Sequence, residues 1–392
     1  MSDAYIVAAR RTPIGRAFRG AFRNHRPDDL LAEVIRAVLD EVPDLDPARV
    51  EDVIIGCAMP EAEQGMNVAR IGLLLAGLPD SVPGVTVNRF CSSGLQTIAM
   101  AADRIRLGEA DVMIAGGTES MSMVPMMGHK VAMNPRVFSG DNVGIAYGMG
   151  ITAEKVAQRW DVSREDQDSF ALESHRKAIA AIDAGEPTGI HPVTVTHRYP
   201  GPNGQVQETQ TVVDTDEGPR RDTSLEVLGK LRTVFDAKGT VTAGSSSQMS
   251  DGAGALVLVS ERVVKELNLK PLAVFRGFSV AGVEPEVMGV GPIEAIPKVL
   301  DQTGIALEDL DWIELNEAFA AQSLAVIRTV GLDPDRVNPL GGAIALGHPL
   351  GATGAILTTK MIHAMRRRKQ RYGMVTMCIG TGMGAAGIFE ML

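Results

Sequence analysis

The sequence predicts an α/β protein made of two similar halves, with a segment of different character inserted between them. Three observations lead there. Short apolar runs alternate with patterns of helical period over residues 1–118. A comparable order of runs returns from residue 271 to 392. Residues 119–245 lose the alternation, and 246–270 resume it. At 392 residues the chain has room for about two or three domains. Hydrophobic residues are 45% but aromatics only 4%, with 42 glycines, so the core must be aliphatic and its backbones closely packed.

Ile6–Ala9 reads as a first strand and Arg11–Gly15 as a turn. Asp28–Asp40 reads as a helix, with Leu30, Leu31, Val34, Ile35 and Val38 on one face. Val53–Gly56 is a short buried strand. Cys57 behind it reads as core, because nothing beside it would activate a thiol. A helix follows at Asn67–Ala76. The β-rich run Gly84–Phe90 ends at Cys91, after which Leu95, Ile98, Ala99, Ala102, Ile105 and Arg106 recur at helical spacing. Asp111–Gly117 is the next strand. Strands spaced by helices predict a mostly parallel sheet covered on both faces.

In the inserted segment, Met121–Met133 is rich in methionine, either an adaptable wall or plain core. Ser163 caps a helix that runs to about Ala184, with Gly185 at its end. Pro187–Gly218 is polar and rich in Pro, Thr and Gly. Residues 119–245 are therefore expected to lie over the sheet and to carry substrate-binding loops. Strands resume at Gly252–Val259 and Pro271–Gly277. Leu310–Ala318 then echoes Glu51–Ala58, Val337-Asn338 echoes Val87-Asn88, and Met374–Gly380 echoes Val112–Gly117. A pseudo-two-fold pair of sheets would gather Cys91, Asn316, His348 and Cys378 around one cleft.

Those four residues carry the chemistry. Cys91 sits where a strand turns into a helix, and a helix N-terminus favours a thiolate; the alternative is a small apolar residue at a strand end. His348 lies in the glycine-rich stretch Gly341–Gly354 at another helix start, which favours the neutral imidazole needed to take a thiol proton. Cys378 ends a strand before Ile379-Gly380-Thr381-Gly382, where the Gly380 N–H can face a developing oxyanion; the alternative is a small residue forced by tight packing. Asn316 is a polar group at a buried strand end that must find a partner. Glu317 is either functional or paired with a nearby N–H.

Other classes are disfavoured. A net charge of −10 argues against nucleic-acid and membrane surfaces. The run Arg366–Arg371 suits a solvated helix end. Three widely spaced cysteines are too few for a disulfide framework or a zinc site and suggest a reducing compartment. The N-terminus lacks the pattern of a signal peptide and no apolar run reaches membrane-spanning length, so a cytoplasmic protein is expected.

Val87–Gly94, Asn316–Ala320, Gly341–Gly354 and Cys378–Gly384 resemble, in order, the signature blocks of the thiolase family. The likeness runs from Ile6 to the C-terminus. It implies the thiolase fold, two duplicated α/β/α halves with mixed sheets stacked into a layered core, plus an inserted loop domain. It also implies roles. Cys91 accepts the acyl group, His348 activates it, and Cys378 moves the proton at the acetyl carbon. His348 with a water held by Asn316 forms one oxyanion hole, and the Cys91 and Gly380 N–H groups form the other. Thr242–Ala253 is similar to the coenzyme-A-contacting loop, with Ser245 where the family usually has Asn. Ala243 and Ser247 would meet pantetheine, and Met288, Ala318 and Phe319 would line the tunnel. Arg220 would sit near the adenine and phosphate end, or is a plain surface arginine.

Acetoacetyl-CoA-forming members usually carry histidine where Tyr147-Gly148-Met149-Gly150 has Gly148. Ser246–Gln248 and Asn338–Gly342 look more like degradative members, whereas sterol-carrier-type members differ at the Asn316 block. The resemblance thus implies CoA-dependent cleavage of 3-ketoacyl-CoA, the last step of β-oxidation, with coenzyme A as co-substrate and no metal or permanent cofactor. The alternatives are a short-chain acetyl-CoA acetyltransferase and a silent CoA-binding subunit of a larger complex. A homodimer or homotetramer is implied, with a β-oxidation partner possible.

Overall fold

The computed structural model describes residues 3–392. Its strands are β1 Ala4–Arg11, β2 Gly15–Arg16, β3 Asp52–Gly56, β4 Gly84–Val87, β5 Val112–Ser120, β6 Val193–Pro200, β7 Val206–Val213, β8 Ser250–Ser260, β9 Ala273–Gly282, β10 Leu310–Leu315, β11 Tyr372–Ile379 and β12 Met383–Met391. One sheet takes the order β10-β11-β12-β9-β1-β8-β5-β3-β4, with β2 beside β8, while β6 and β7 form a separate hairpin.

The order exposes the duplication. Outward from the middle, β1-β8-β5-β3 and β9-β12-β11-β10 trace the same path. In each, the outermost pair is parallel and the next two pairs are antiparallel. β4 extends the first half beyond β3, and its counterpart shrinks to one parallel bridge between Ile313 and Val337. The halves join where Tyr5 and Ile6 of β1 pair with Val274 and Ala273 of β9.

The expectation of a mostly parallel sheet fails. Only β3–β4, β3–β5 and β10–β11 are parallel. In the second half the reason is local. β11 and β12 are joined by the short turn Gly380–Gly382, where Thr381 and Gly382 have φ of 67° and 90°. So tight a turn can connect only antiparallel neighbours. β12 is buried along nearly its whole length, so it lacks the alternation that marks a half-exposed strand and escapes a reading by period.

Two helices, Ser93–Arg106 and Thr353–Arg368, fill the middle of the molecule. Leu95, Ile98, Ala102 and Ile105 of the first pack with Ala355, Met361, Ile362 and Met365 of the second and with Met113, Leu256, Met377 and Phe389 of the sheet. Their crossing needs glycine. A Cβ on Gly354 would lie 2.2 Å from the Leu95 nitrogen, and one on Gly94 2.8 Å from that of Ala355. The outer faces are covered by Pro27–Asp40 on the first half and Gly291–Thr303 on the second. This buries the N-terminus of each middle helix beside the strand ends of both halves.

Between Ser120 and Ser250 the chain adds no strand to the large sheet, among the described residues. It forms the helices Met149–Arg159 and Arg164–Asp183 and the β6–β7 hairpin. Ser163 Oγ accepts the Asp166 N–H at 3.0 Å, and Gly185 ends the second helix at φ 60°. The chain beyond β7 is held by the buried Arg11, whose guanidinium reaches both Asp216 oxygens at 2.8 and 2.9 Å. In the methionine stretch, Met121 is buried but Met126 and Met127 are exposed, so most of it is not core.

Candidate active site

β4 stops at Val87 because Asn88 turns the chain. Its Oδ1 accepts the Phe90 N–H at 2.8 Å, and its Nδ2 donates to the Ala58 carbonyl at 3.0 Å. Phe90 is left-handed at φ 44°, a strained position for a bulky residue. A 3₁₀ turn over Phe90–Ser92 then leads into the helix, and Cys91 stands on that turn, half-buried.

The helix N-terminus does not make this cysteine a thiolate. Burial pushes the Cys91 thiol up to about 12, against the pull of the Gly380 and Cys91 N–H groups, and the nearby Glu119 adds to the rise. Desolvation therefore outweighs the partial charge of the helix end, which counts for less than a pKa unit or so at most sites. Cys91 rests as a neutral thiol, and a nucleophilic role would call for a base.

His348 is the candidate. Its N–H donates to the Gln248 carbonyl at 3.1 Å and lies 3.2 Å from Ser250 Oγ, which fixes the loop against β8. Nδ1 lies 2.6 Å from Thr353 Oγ1, and that hydroxyl donates to the Pro349 carbonyl at 3.0 Å. A hydroxyl has one proton, so toward the ring Thr353 accepts. Nδ1 thus carries the hydrogen, and Nε2 presents its lone pair 3.3 Å from Asn316 Nδ2. Burial holds His348 down at about 4, which keeps the imidazole neutral. Asn316 donates its own N–H to Thr376 at 2.9 Å, while its buried Oδ1 has no hydrogen-bond partner among the described residues. An orphan of that kind must be met by solvent or substrate.

Cys378 closes β11 and is buried. Burial first, then the charge of Cys91, raise its thiol well above the ordinary cysteine value. Gly380, whose N–H faces the Cys91 thiol, follows it two residues on. Beside Cys378, Met288, Ala318 and Phe319 share one apolar cluster with Ala153 and Val241, against which Met149 packs. Phe235 meets Phe319 edge-on at 6.0 Å. Ser247 donates its N–H to the Ala318 carbonyl at 2.9 Å. Ala243 is exposed on a turn capped by Thr242; Ser245 Oγ accepts the Thr242 N–H at 3.0 Å and completes the capping box.

The structure sets Cys91 against the Gly380 N–H, two residues past Cys378, and against Leu350 of the loop whose His348 meets Asn316. Arg220 is exposed, and its backbone N–H donates to His175 Nδ1 at 3.1 Å. Glu317 is a scaffold. It accepts from Ser174 Oγ at 2.6 Å, Asn338 Nδ2 at 2.8 Å and the Ile344 N–H at 3.2 Å. Cys57 is buried core. Thr353 escapes the sequence reading, since a threonine at a helix start reads as an ordinary cap. Its role gives a test. Thr353→Val should lower kcat about 10- to 100-fold with KM for CoA unchanged, and Thr353→Ser should restore it. Wild-type turnover in the valine variant would free the imidazole from this contact.

Among the described residues, no group of three or more His, Cys, Asp or Glu could hold a metal ion, and no helix is long and apolar enough to cross a membrane. A sulfur nucleophile with a neutral base and N–H groups facing the sulfur suits acyl transfer through a thioester, and fold and site together define an acyltransferase of that kind. Residues 4–262 match the thiolase N-terminal domain and residues 269–391 the thiolase C-terminal domain. The chain belongs to the thiolase family.

It is 51% identical to a 3-ketoacyl-CoA thiolase of Bacillus subtilis (strain 168), with both chains covered completely. It is 45% identical to the peroxisomal 3-ketoacyl-CoA thiolase A of Mus musculus over 99% of this chain and 91% of that one. The crystal structure of the Bacillus anthracis acetyl-CoA acetyltransferase superposes with a TM-score of 0.90 at 39% identity, covering 100% of this chain and 99% of the other.

Proposed function

We propose that this protein is a 3-ketoacyl-CoA thiolase that cleaves its substrate with coenzyme A. The carrying observation is the setting of Cys91, which faces the Gly380 N–H two residues past the buried Cys378 and packs against Leu350, two residues past His348. His348 Nε2 takes the Cys91 proton, and the sulfur attacks the 3-keto carbon. The bond between C2 and C3 breaks, leaving acyl-Cys91 and the enolate of acetyl-CoA. Cys378 gives that carbon its proton, and acetyl-CoA leaves. His348 passes its proton to the Cys378 thiolate; it then takes the proton of the attacking CoA thiol and returns it to the Cys91 sulfur as the shortened acyl-CoA departs. The Gly380 and Cys91 N–H groups meet one oxyanion, and His348 with solvent at Asn316 Oδ1 meets the other.

Ala243 and Ser247 would hold pantetheine, Arg220 the phosphate end, and Met288, Ala318 and Phe319 the acyl path, with residues 119–245 acting as the loop domain that carries the CoA site. A Cβ on Gly148 would meet nothing within 4 Å, so the place where short-chain members carry histidine is open for a longer chain. The test is kcat/KM for thiolysis of acetoacetyl-CoA beside a medium-chain 3-ketoacyl-CoA. Preference for the longer chain supports the degradative reading. Turnover of acetoacetyl-CoA alone would favour an acetyl-CoA acetyltransferase, the name of the Bacillus anthracis relative. We also read the chain as a homo-oligomer of the cytosol. β4 ends the sheet with one neighbour only, and three free cysteines suit a reducing compartment. Light scattering decides between dimer and tetramer.

A further inference from the structure

Glu119 lies on β5 outside the reacting groups, yet it is wholly buried. It accepts the Ala58 N–H at 2.7 Å, the Met59 N–H at 3.3 Å and the Gly351 N–H at 2.8 Å, and the Gln64 amide at close range. The Cys57 thiol lies 3.9 Å away. These donors come from two loops that the reaction must keep in register. Ala58 holds Asn88 through its carbonyl, and Asn88 caps Phe90 beside Cys91. Gly351 lies between His348 and Thr353, the residue that orients the imidazole. One carboxylate thus grips the support of the nucleophile with one set of bonds and the loop of the base with another.

We propose that Glu119 is a positioning residue that locks the Cys91 turn to the His348 loop and sets the distance across which the thiol proton moves. The inference rests on the thiolase reading above. Burial favours the neutral acid, while the N–H donors pull toward the carboxylate. The donors decide, because a protonated carboxyl would need an acceptor and every nitrogen facing it is a donor. The titratable groups it faces are Cys57 and Cys91, and its charge disfavours ionisation of both. A misplacement of about 1 Å in such a pair costs about 100-fold in rate.

The test is Glu119→Gln, which keeps the shape but turns one acceptor into a donor facing donors and removes the charge. kcat for acetoacetyl-CoA thiolysis should fall by about 100-fold with KM for CoA within about twofold of wild type. A second readout is the rate of Cys91 alkylation by anionic iodoacetate against neutral iodoacetamide. Loss of the charge raises that ratio several-fold, whereas a merely loosened site speeds both reagents equally. Unchanged kcat, or a loss of kcat with altered KM and an unchanged ratio, would overturn the proposal. Should Glu119→Gln not fold, Gln64→Leu removes one donor and keeps the carboxylate. A smaller drop in kcat at constant KM supports the inference, and wild-type kcat overturns it. If the wild type itself turned over no 3-ketoacyl-CoA, the thiolase reading would fail, while the alkylation ratio would still report on Glu119.

Discussion

Cys91→Ser should lose thiolysis by a factor of about 10³ or more while remaining folded. In the proposed scheme the resting thiol, pushed to about 12, reacts because a neutral imidazole takes its proton. A serine hydroxyl in the same desolvated place is a far weaker acid, and the same base cannot generate the alkoxide at a useful rate. The side chain is small and half-buried, so the fold loses little. The check pairs turnover with intact-protein mass after exposure to an acyl-CoA. Wild type should gain one acyl group and the serine variant none. Full thiolysis by the variant would remove Cys91 from the role of nucleophile. The same geometry sets the acid side of the pH profile. His348 charges only as the pH falls to about 4, so base-dependent acylation should hold through the neutral range and fail below it.

Much of this was legible in the sequence, and the legible parts share a cause. His348 and Cys378 lie in stretches dense with glycine, and Cys91 sits at the change from strand period to helix period. The duplication was visible because both halves repeat one order of apolar runs. What was hidden depends on three-dimensional burial. Cys91 looked like a candidate thiolate from its place at a helix start, but the residues packed against it, Ala17, Ala58, Met121 and Leu350, come from distant parts of the chain. Glu119 is one acid in a strand buried on both faces, Val112–Ser120, where no alternation separates a working position from a filler. Strand direction was illegible for a similar reason. The path back into the sheet at Ser250 follows a long insertion whose geometry no local pattern encodes.

Cys378→Ala should split the reaction in two. The proposed division of labour gives sulfur protons to His348 and carbon protons to Cys378. Transfer of an acetyl group from acetyl-CoA to Cys91 should then stay within about tenfold of wild type, because its proton moves between two sulfurs through the imidazole. Cleavage and formation of the carbon–carbon bond should fall by about 10²- to 10⁴-fold, the usual worth of a positioned acid or base. The raised thiol pKa suits this second task. An α-proton beside a thioester is very weakly acidic, so a sulfur held well above the ordinary cysteine value is a stronger base toward it and still holds its proton at neutral pH for the return step. Three measurements separate the halves: the burst of CoA released on acylation, steady thiolysis of acetoacetyl-CoA, and exchange of acetyl-CoA methyl hydrogens into deuterated water. The first should persist while the second and third collapse. If the burst falls with the others, Cys378 also serves sulfur transfer and the two-base scheme is wrong. If methyl exchange continues at the wild-type rate, another group holds the carbon's proton, and the neighbouring Cys91 is the first to examine.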